Sequence, residues 1–213
     1  MNEYFKPWKG DDYRQAQNKI LVIGDSHYCG GCEICGVQGM HSPEEMGECS
    51  DFTINTVHEY LKFRMGIGEK KNWMTKTFYP FDKIFYGKEE VTLEESLKLW
   101  NSISFYNFLQ TAYVGAADNT IYTAKDYTLS TPLAFEVIQE LQPDLIIVWG
   151  NRAYDNLPSV NWNEGRNYYE GFYKLTNHHI AYCLRIYHPS RANITTWHQK
   201  IMEISKLLQT NGV

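Results

Sequence analysis

The apolar positions of this chain fall into short unbroken runs, separated by stretches in which they recur every three or four residues. Lys19-Ile20-Leu21-Val22-Ile23-Gly24 and Asp144-Leu145-Ile146-Ile147-Val148-Trp149-Gly150 do not alternate and end in glycine, the pattern of strands buried on both faces of a parallel sheet. Ile54, Val57 and Leu61 repeat at helical spacing behind Ser50 and Asp51, which predicts a helix from about Phe52 to Arg64. Thr92 with Glu95 forms a capping box for a helix whose apolar face is Leu93, Leu97 and Trp100. Ile103 to Leu109 is a β-rich run. Thr131-Pro132 places a cap and a first-turn proline before Phe135, Ile138 and Leu141, and Pro143 is the stop. Asn151 to Leu157 can start a helix directly behind Gly150. Tyr168 to Leu175 and Ile180 to Tyr187 flank Thr176-Asn177-His178-His179 as a hairpin, and Trp197, Ile201, Ile204 and Leu208 mark a C-terminal amphipathic helix. The stretch from Gly66 to Glu90 shows no clear period and reads as a long surface loop.

Strands separated by helical segments predict a mostly parallel sheet covered on both faces. The expected architecture is a three-layer α/β/α sandwich with a mostly parallel four-stranded central sheet. No repeat or linker divides the 213 residues, so one domain is expected over 1-213, with a cysteine-bearing insertion at about 28-50. No stretch approaches the roughly 20 apolar residues of a membrane span, and Met1-Asn2-Glu3-Tyr4 lacks the layout of a secretory signal. The expectation is a soluble cytoplasmic monomer with no membrane partner. The formal charge of -5 argues against a protein that holds nucleic acid by bulk electrostatics, while leaving room for a local basic patch around Arg185, Arg191 and Lys200.

In sheets of this kind the chemistry lies beyond the carboxyl ends of the strands. Those ends carry Gly24-Asp25-Ser26-His27-Tyr28, Tyr106-Asn107-Phe108, Trp149-Gly150-Asn151 and His188-Pro189-Ser190. No G-x-G-x-x-G follows the first strand, no phosphate-cradling lysine motif is present, and no G-x-S-x-G elbow supports a serine hydrolase. Cysteine is clustered: Cys29, Cys32, Cys35 and Cys49 share one segment and Cys183 stands apart in an apolar run. Two-residue gaps let successive thiolates converge on one ion, so zinc is the first candidate ligand of the four and an iron-sulfur cluster the alternative.

The order of these pieces resembles the uracil-DNA glycosylase superfamily, from about Lys19 to Leu208. Gly24 to Tyr28 is similar to its water-positioning loop after the first strand, and Phe52-Thr53 to the Phe-Ser pair whose ring stacks on a flipped base. Asn107 matches the asparagine that reads the pyrimidine edge, Leu145 to Leu157 the strand and short helix that follow, and His188-Pro189-Ser190 its His-Pro-Ser loop. The chain departs from that pattern at Ser26, where active members hold aspartate or asparagine, at His27 in place of proline, and at Arg191-Ala192-Asn193 in place of a wedge residue. Some branches of the superfamily carry an iron-sulfur cluster, with cysteines at other positions.

The resemblance implies hydrolysis of the N-glycosidic bond of a flipped, deaminated base in single- or double-stranded DNA. Such chemistry must stabilise charge on both sugar and leaving base and deliver a water. Asp25, His27 and His188, with Ser26, are then the catalytic candidates, and Tyr28, Phe52, Asn107, Ser190 and Arg191 the substrate-binding ones. Ser26 is no strong base, so Asp25 or His27 would orient the water. Plainer roles stand beside these: a turn cap for Asp25, a core ring for Phe52, a satisfied core amide for Asn107 and a strand exit for His188. Two other functions therefore stay open, a catalytically weak or inactive base-binding module and a metal-centred protein.

Overall fold

The computed structural model describes residues 5-29, 39-41, 47-114, 122-165, 167 and 169-210. In chain order its elements are β1 (Trp8–Lys9), β2 (Ile20–Gly24), β3 (His27–Cys29), β4 (Gly39–His41), α1 (Phe52–Arg64), a π-helical turn (Met74–Phe78) leading into α2 (Tyr79–Tyr86), and α3 (Leu93–Ser102). There follow β5 (Ile103–Asn107), β6 (Ala112–Val114), α4 (Ala124–Leu141), β7 (Leu145–Trp149), α5 (Asn151–Asp155), β8 (Trp162–Glu164), β9 (Glu170–Lys174), β10 (Ile180–Ile186), a 3-10 turn (Pro189–Arg191) and α6 (Ile194–Thr210).

The fold is mixed α/β around a sheet ordered β1-β5-β2-β7-β10-β9-β8. Its centre, β5-β2-β7-β10, is parallel. The sheet has seven strands rather than the expected four, and it is mixed, because β1, β9 and β8 join antiparallel at the edges. Two of these additions, β1 and β8, span only two and three residues, too short to leave a periodic signature. A second sheet, β3-β6-β4, lies beyond the end of β2.

β2, β5 and β7 are buried along their whole length, and β10 from Cys183 onward, because successive side chains enter opposite cores. Val22, Phe105, Ile147 and Ile186 join α1, α2, α3 and α6 on one face. Leu21, Tyr106, Val148 and Cys183 join α4 on the other. Trp197, Ile201, Ile204 and Leu208 of α6 are all buried as their spacing predicts.

Three expectations need correction. Residues 66-90 are not a loop: Met74, Phe78, Phe81 and Ile84 enter the core from the π-helical turn and α2, and the wider π turn shifts the phase of the apolar pattern. The helix expected at Thr131 begins at Ala124, where the Asp126 carboxylate accepts from the backbone N–H of Thr123 at 2.7 Å, leaving Pro132 inside it. In α3 the capping box is present as expected, yet Leu93 is exposed and Ser96, Leu99 and Trp100 form the buried face.

Candidate functional site

The parallel registers bring the strand ends into line. Gly24 of β2 pairs with Asn107 of β5, and Ile23 with Val148 of β7, so Trp149 and Gly150 stand one step further along the same edge. The chain leaves β7 through Gly150 at φ 91°, a conformation that disfavours any side chain with a Cβ. Its N–H donates to the carbonyl of Ile186 at 2.8 Å, tying the end of β7 to β10 just before His188. On the other side the loop after β2 is fastened to β5: Phe108 N–H donates to Gly24 O (3.0 Å) and Leu109 N–H to Asp25 O (2.9 Å).

These ends open into a cleft of about 1310 Å³. Among the predicted residues, Asp25, Ser26, Tyr28, Phe52, Asn107, His188, Ser190 and Arg191 all line it. Asp25 is held from two distant elements: its Oδ1 accepts from the Tyr127 hydroxyl at 2.8 Å and its Oδ2 from the Arg152 guanidinium at 2.6 Å. Burial first, and the Asp25 charge second, push the Tyr127 phenol up, so it stays a donor. His188 faces Asp25, Arg152 and Arg191; partial desolvation, with the two arginines adding to it and Asp25 opposing, lowers its pKa. The Ser190 backbone N–H lies 3.4 Å from His188 Nδ1 and the Ser190 hydroxyl 2.8 Å from it. A backbone amide only donates, so Nδ1 is the acceptor and the neutral ring carries its proton on Nε2.

Asn107 is 8% exposed, and among the described residues its side-chain amide has no hydrogen-bond partner; its backbone carbonyl accepts from Gln110 Nε2. Gly24 makes room for it, since a Cβ there would stand 2.2 Å from Asn107 Oδ1. Phe52 opens α1 at the cleft wall, with ring centroids 6.1 Å from Phe5 and 5.2 Å from His27. The Tyr28 hydroxyl is buried without a partner among the described residues.

His27 does not belong to this site. It is 1% exposed, with Nδ1 on the Leu109 carbonyl (2.9 Å) and Nε2 on the Thr53 hydroxyl (2.8 Å). Burial lowers its pKa to about 4 against the carbonyl bond. A neutral ring with both nitrogens engaged cannot orient a water; it pins the loop to α1. The basic strip is also corrected: Arg185 is buried, its guanidinium 4.6 Å from the Tyr169 ring and 5.5 Å from that of Tyr154, and Lys200 pairs with Glu203. Lys71 pairs with Glu59 at 2.7 Å on the cleft wall.

Cys29 is buried beside Phe5 and Ala112, with Cys49 and Phe52 packed on the same cluster, so the fold draws together the first and last of the four clustered cysteines. Cys32 and Cys35 lie outside the described residues. Cys183 is buried in the sheet, where burial raises its thiol pKa. Among the described residues no helix is long and apolar enough to cross a membrane.

Arg152 and Tyr127 are not legible as site residues in the sequence. Tyr127 lies in the part of α4 that the pattern does not reveal, and both contacts join positions more than a hundred residues apart. No protein-family model matches the chain, and no curated protein matches it.

Proposed function

We propose that the cleft binds a nucleobase carried on a strand of DNA and hydrolyses its N-glycosidic bond, the activity implied by the resemblance to the uracil-DNA glycosylase superfamily. The observation that carries this reading is the convergence of Asp25, Asn107 and His188 on one cleft beside Phe52. Asn107 offers a donor and an acceptor to a base edge, and its lack of a protein partner among the described residues leaves both for a ligand. His188, neutral with Nε2–H free, donates to a developing negative charge on the leaving base. Asp25 is the carboxylate near the sugar, positioned by Tyr127 and Arg152. The parallel four-stranded core is the part of the sheet that the resemblance implies.

The test is release of the base from a labelled single-stranded oligonucleotide containing uracil, with binding measured in parallel at low salt. Slow excision is expected, because Ser26 stands where the superfamily's water-orienting residue would be. Absence of both binding and excision for every deaminated base would overturn the reading.

Gly24→Ala examines the same site without touching a polar group. The added methyl displaces the end of the Asn107 side chain and presses on the buried Phe105 ring, whose Cζ would stand 3.1 Å from it. Affinity for the uracil strand should fall about tenfold to hundredfold, the range for loss of a two-point base contact, a loss read on protein that circular dichroism shows to be folded. Unaltered affinity would remove Asn107 from base recognition.

A further inference from the structure

The cleft is longer than one base requires. Phe52, Asn55, Thr56 and Glu59 all line it, and at positions i, i+3, i+4 and i+7 they form one stripe of α1, about 10 Å from end to end. Trp73, Thr77 and Phe78 at the π-helical turn make the facing wall. Its volume of about 1310 Å³ exceeds the roughly 300–1,000 Å³ of sites that enclose drug-sized ligands. Phe52 and the catalytic candidates occupy one end. The lining continues past Phe52 along α1 and the π-helical turn, and we call this part of the cleft its arm.

The chemistry of this arm differs from that of the His188 end. There, Arg152 and Arg191 supply positive charge. In the arm the one cationic side chain among the described residues, Lys71, is paired with Glu59 at 2.7 Å, so the pair offers a phosphate no net attraction. What it offers instead is hydrogen bonding without net charge. The Asn55 amide has no partner among the described residues, the Glu59 carboxylate accepts, and the Lys71 ammonium donates. Trp73 adds a half-buried indole beside Phe78, ring centroids 5.0 Å apart. An aromatic face with polar groups around it suits a saturated ring that presents C–H groups to the indole and hydroxyls to the polar side chains.

Resting on the base-binding reading above, we propose that the arm receives a neutral, hydroxyl-bearing substituent attached to the base, a sugar-sized group, so that the substrate is an enlarged base rather than plain uracil. A neighbouring nucleotide of the strand would bring its phosphate to a charge pair with no net attraction for it and is the disfavoured occupant.

The experiment compares three single-stranded oligonucleotides of one sequence, carrying at one position uracil, 5-hydroxymethyluracil or its 5-O-glucoside, for binding to the full chain by calorimetry. The glucosylated strand should bind at least tenfold more tightly than the uracil strand. That ratio should fall toward one in Asn55→Ala, Glu59→Gln and Trp73→Ala, the first two being surface changes that leave the core intact. Equal affinity for the three strands, or exclusion of the glucosylated one, would overturn the proposal while leaving base binding in place. So would affinity that rises with added flanking nucleotides whatever the substituent, since the arm would then hold the strand. If none of the strands binds in a way that Asn107→Ala abolishes, the base-binding reading itself falls.

Discussion

Replacing His188 with alanine should slow base excision by about a hundredfold to ten-thousandfold, the usual cost of losing one positioned acid or base group, while substrate binding changes far less. The expectation follows from the tautomer. Ser190 donates to Nδ1 from its backbone, which places the proton on Nε2, the nitrogen left free for the leaving base. Negative charge grows on that base only as the bond breaks, so the hydrogen bond is stronger in the transition state than in the bound substrate, and its loss appears in kcat rather than KM. Asp25→Ala should remove what activity Ser26 leaves, again with binding retained. Single-turnover rates on the uracil strand, with binding in parallel, separate the two effects. A His188→Ala protein that excises at the wild-type rate would show that the ring is only a strand exit.

The parts of this molecule that are legible in the sequence are those that local chemistry decides. The Phe52–Arg64 helix matches its expected limits because four buried positions lie within one stretch of chain, although Asp51 pairs with Lys6 and caps no backbone N–H. β2 and β7 are plain because a strand buried on both faces must be apolar at every position. Their glycine ends then locate the cleft edge, which is how Asp25, Asn107 and His188 can be named from sequence. What escapes depends on contacts between distant segments. The partners of Asp25 come from α4 and α5, and nothing near Tyr127 or Arg152 in the sequence marks them. His27 looks catalytic because its neighbours are, whereas its side chain turns from the cleft into the space between Leu109 and Thr53. The segment 66-90 reads as a loop for the same reason: its order comes in part from a polar residue, Asp82, buried against α1 and α3.

Asp82 is also where the largest loss of stability is expected. It is fully buried, and its carboxylate accepts from the Tyr60 hydroxyl of α1 at 2.5 Å, from the Ser96 hydroxyl of α3, and from Trp100 Nε1 of α3 at 2.8 Å. Asp82→Ala leaves the Trp100 N–H buried with no acceptor, strips the Tyr60 and Ser96 hydroxyls of theirs and opens a cavity, so it should cost about 3–5 kcal/mol, the sum of unsatisfied neutral donors at about 1–3 kcal/mol each and lost packing. Asp82→Asn should be much milder. Its amide oxygen can accept from Trp100, and the two hydroxyls can rotate to accept from its NH₂ group. Burial, opposed by the three hydrogen bonds and by Arg64, raises the Asp82 pKa to about 6. An unfolded aspartate titrates near 4, so between about pH 4 and pH 6 the folded chain binds more protons than the unfolded one. The stability contributed by Asp82 is therefore highest at low pH and falls as pH rises through that window, by on the order of 3 kcal/mol, then levels off. The amide of the Asp82→Asn variant cannot titrate. Urea unfolding of wild type and Asp82→Asn at pH 4, 5, 6 and 7 should show the wild type losing stability relative to the variant across the window. A constant difference between the two would mean that Asp82 keeps an ordinary pKa and that the surrounding donors offset its burial.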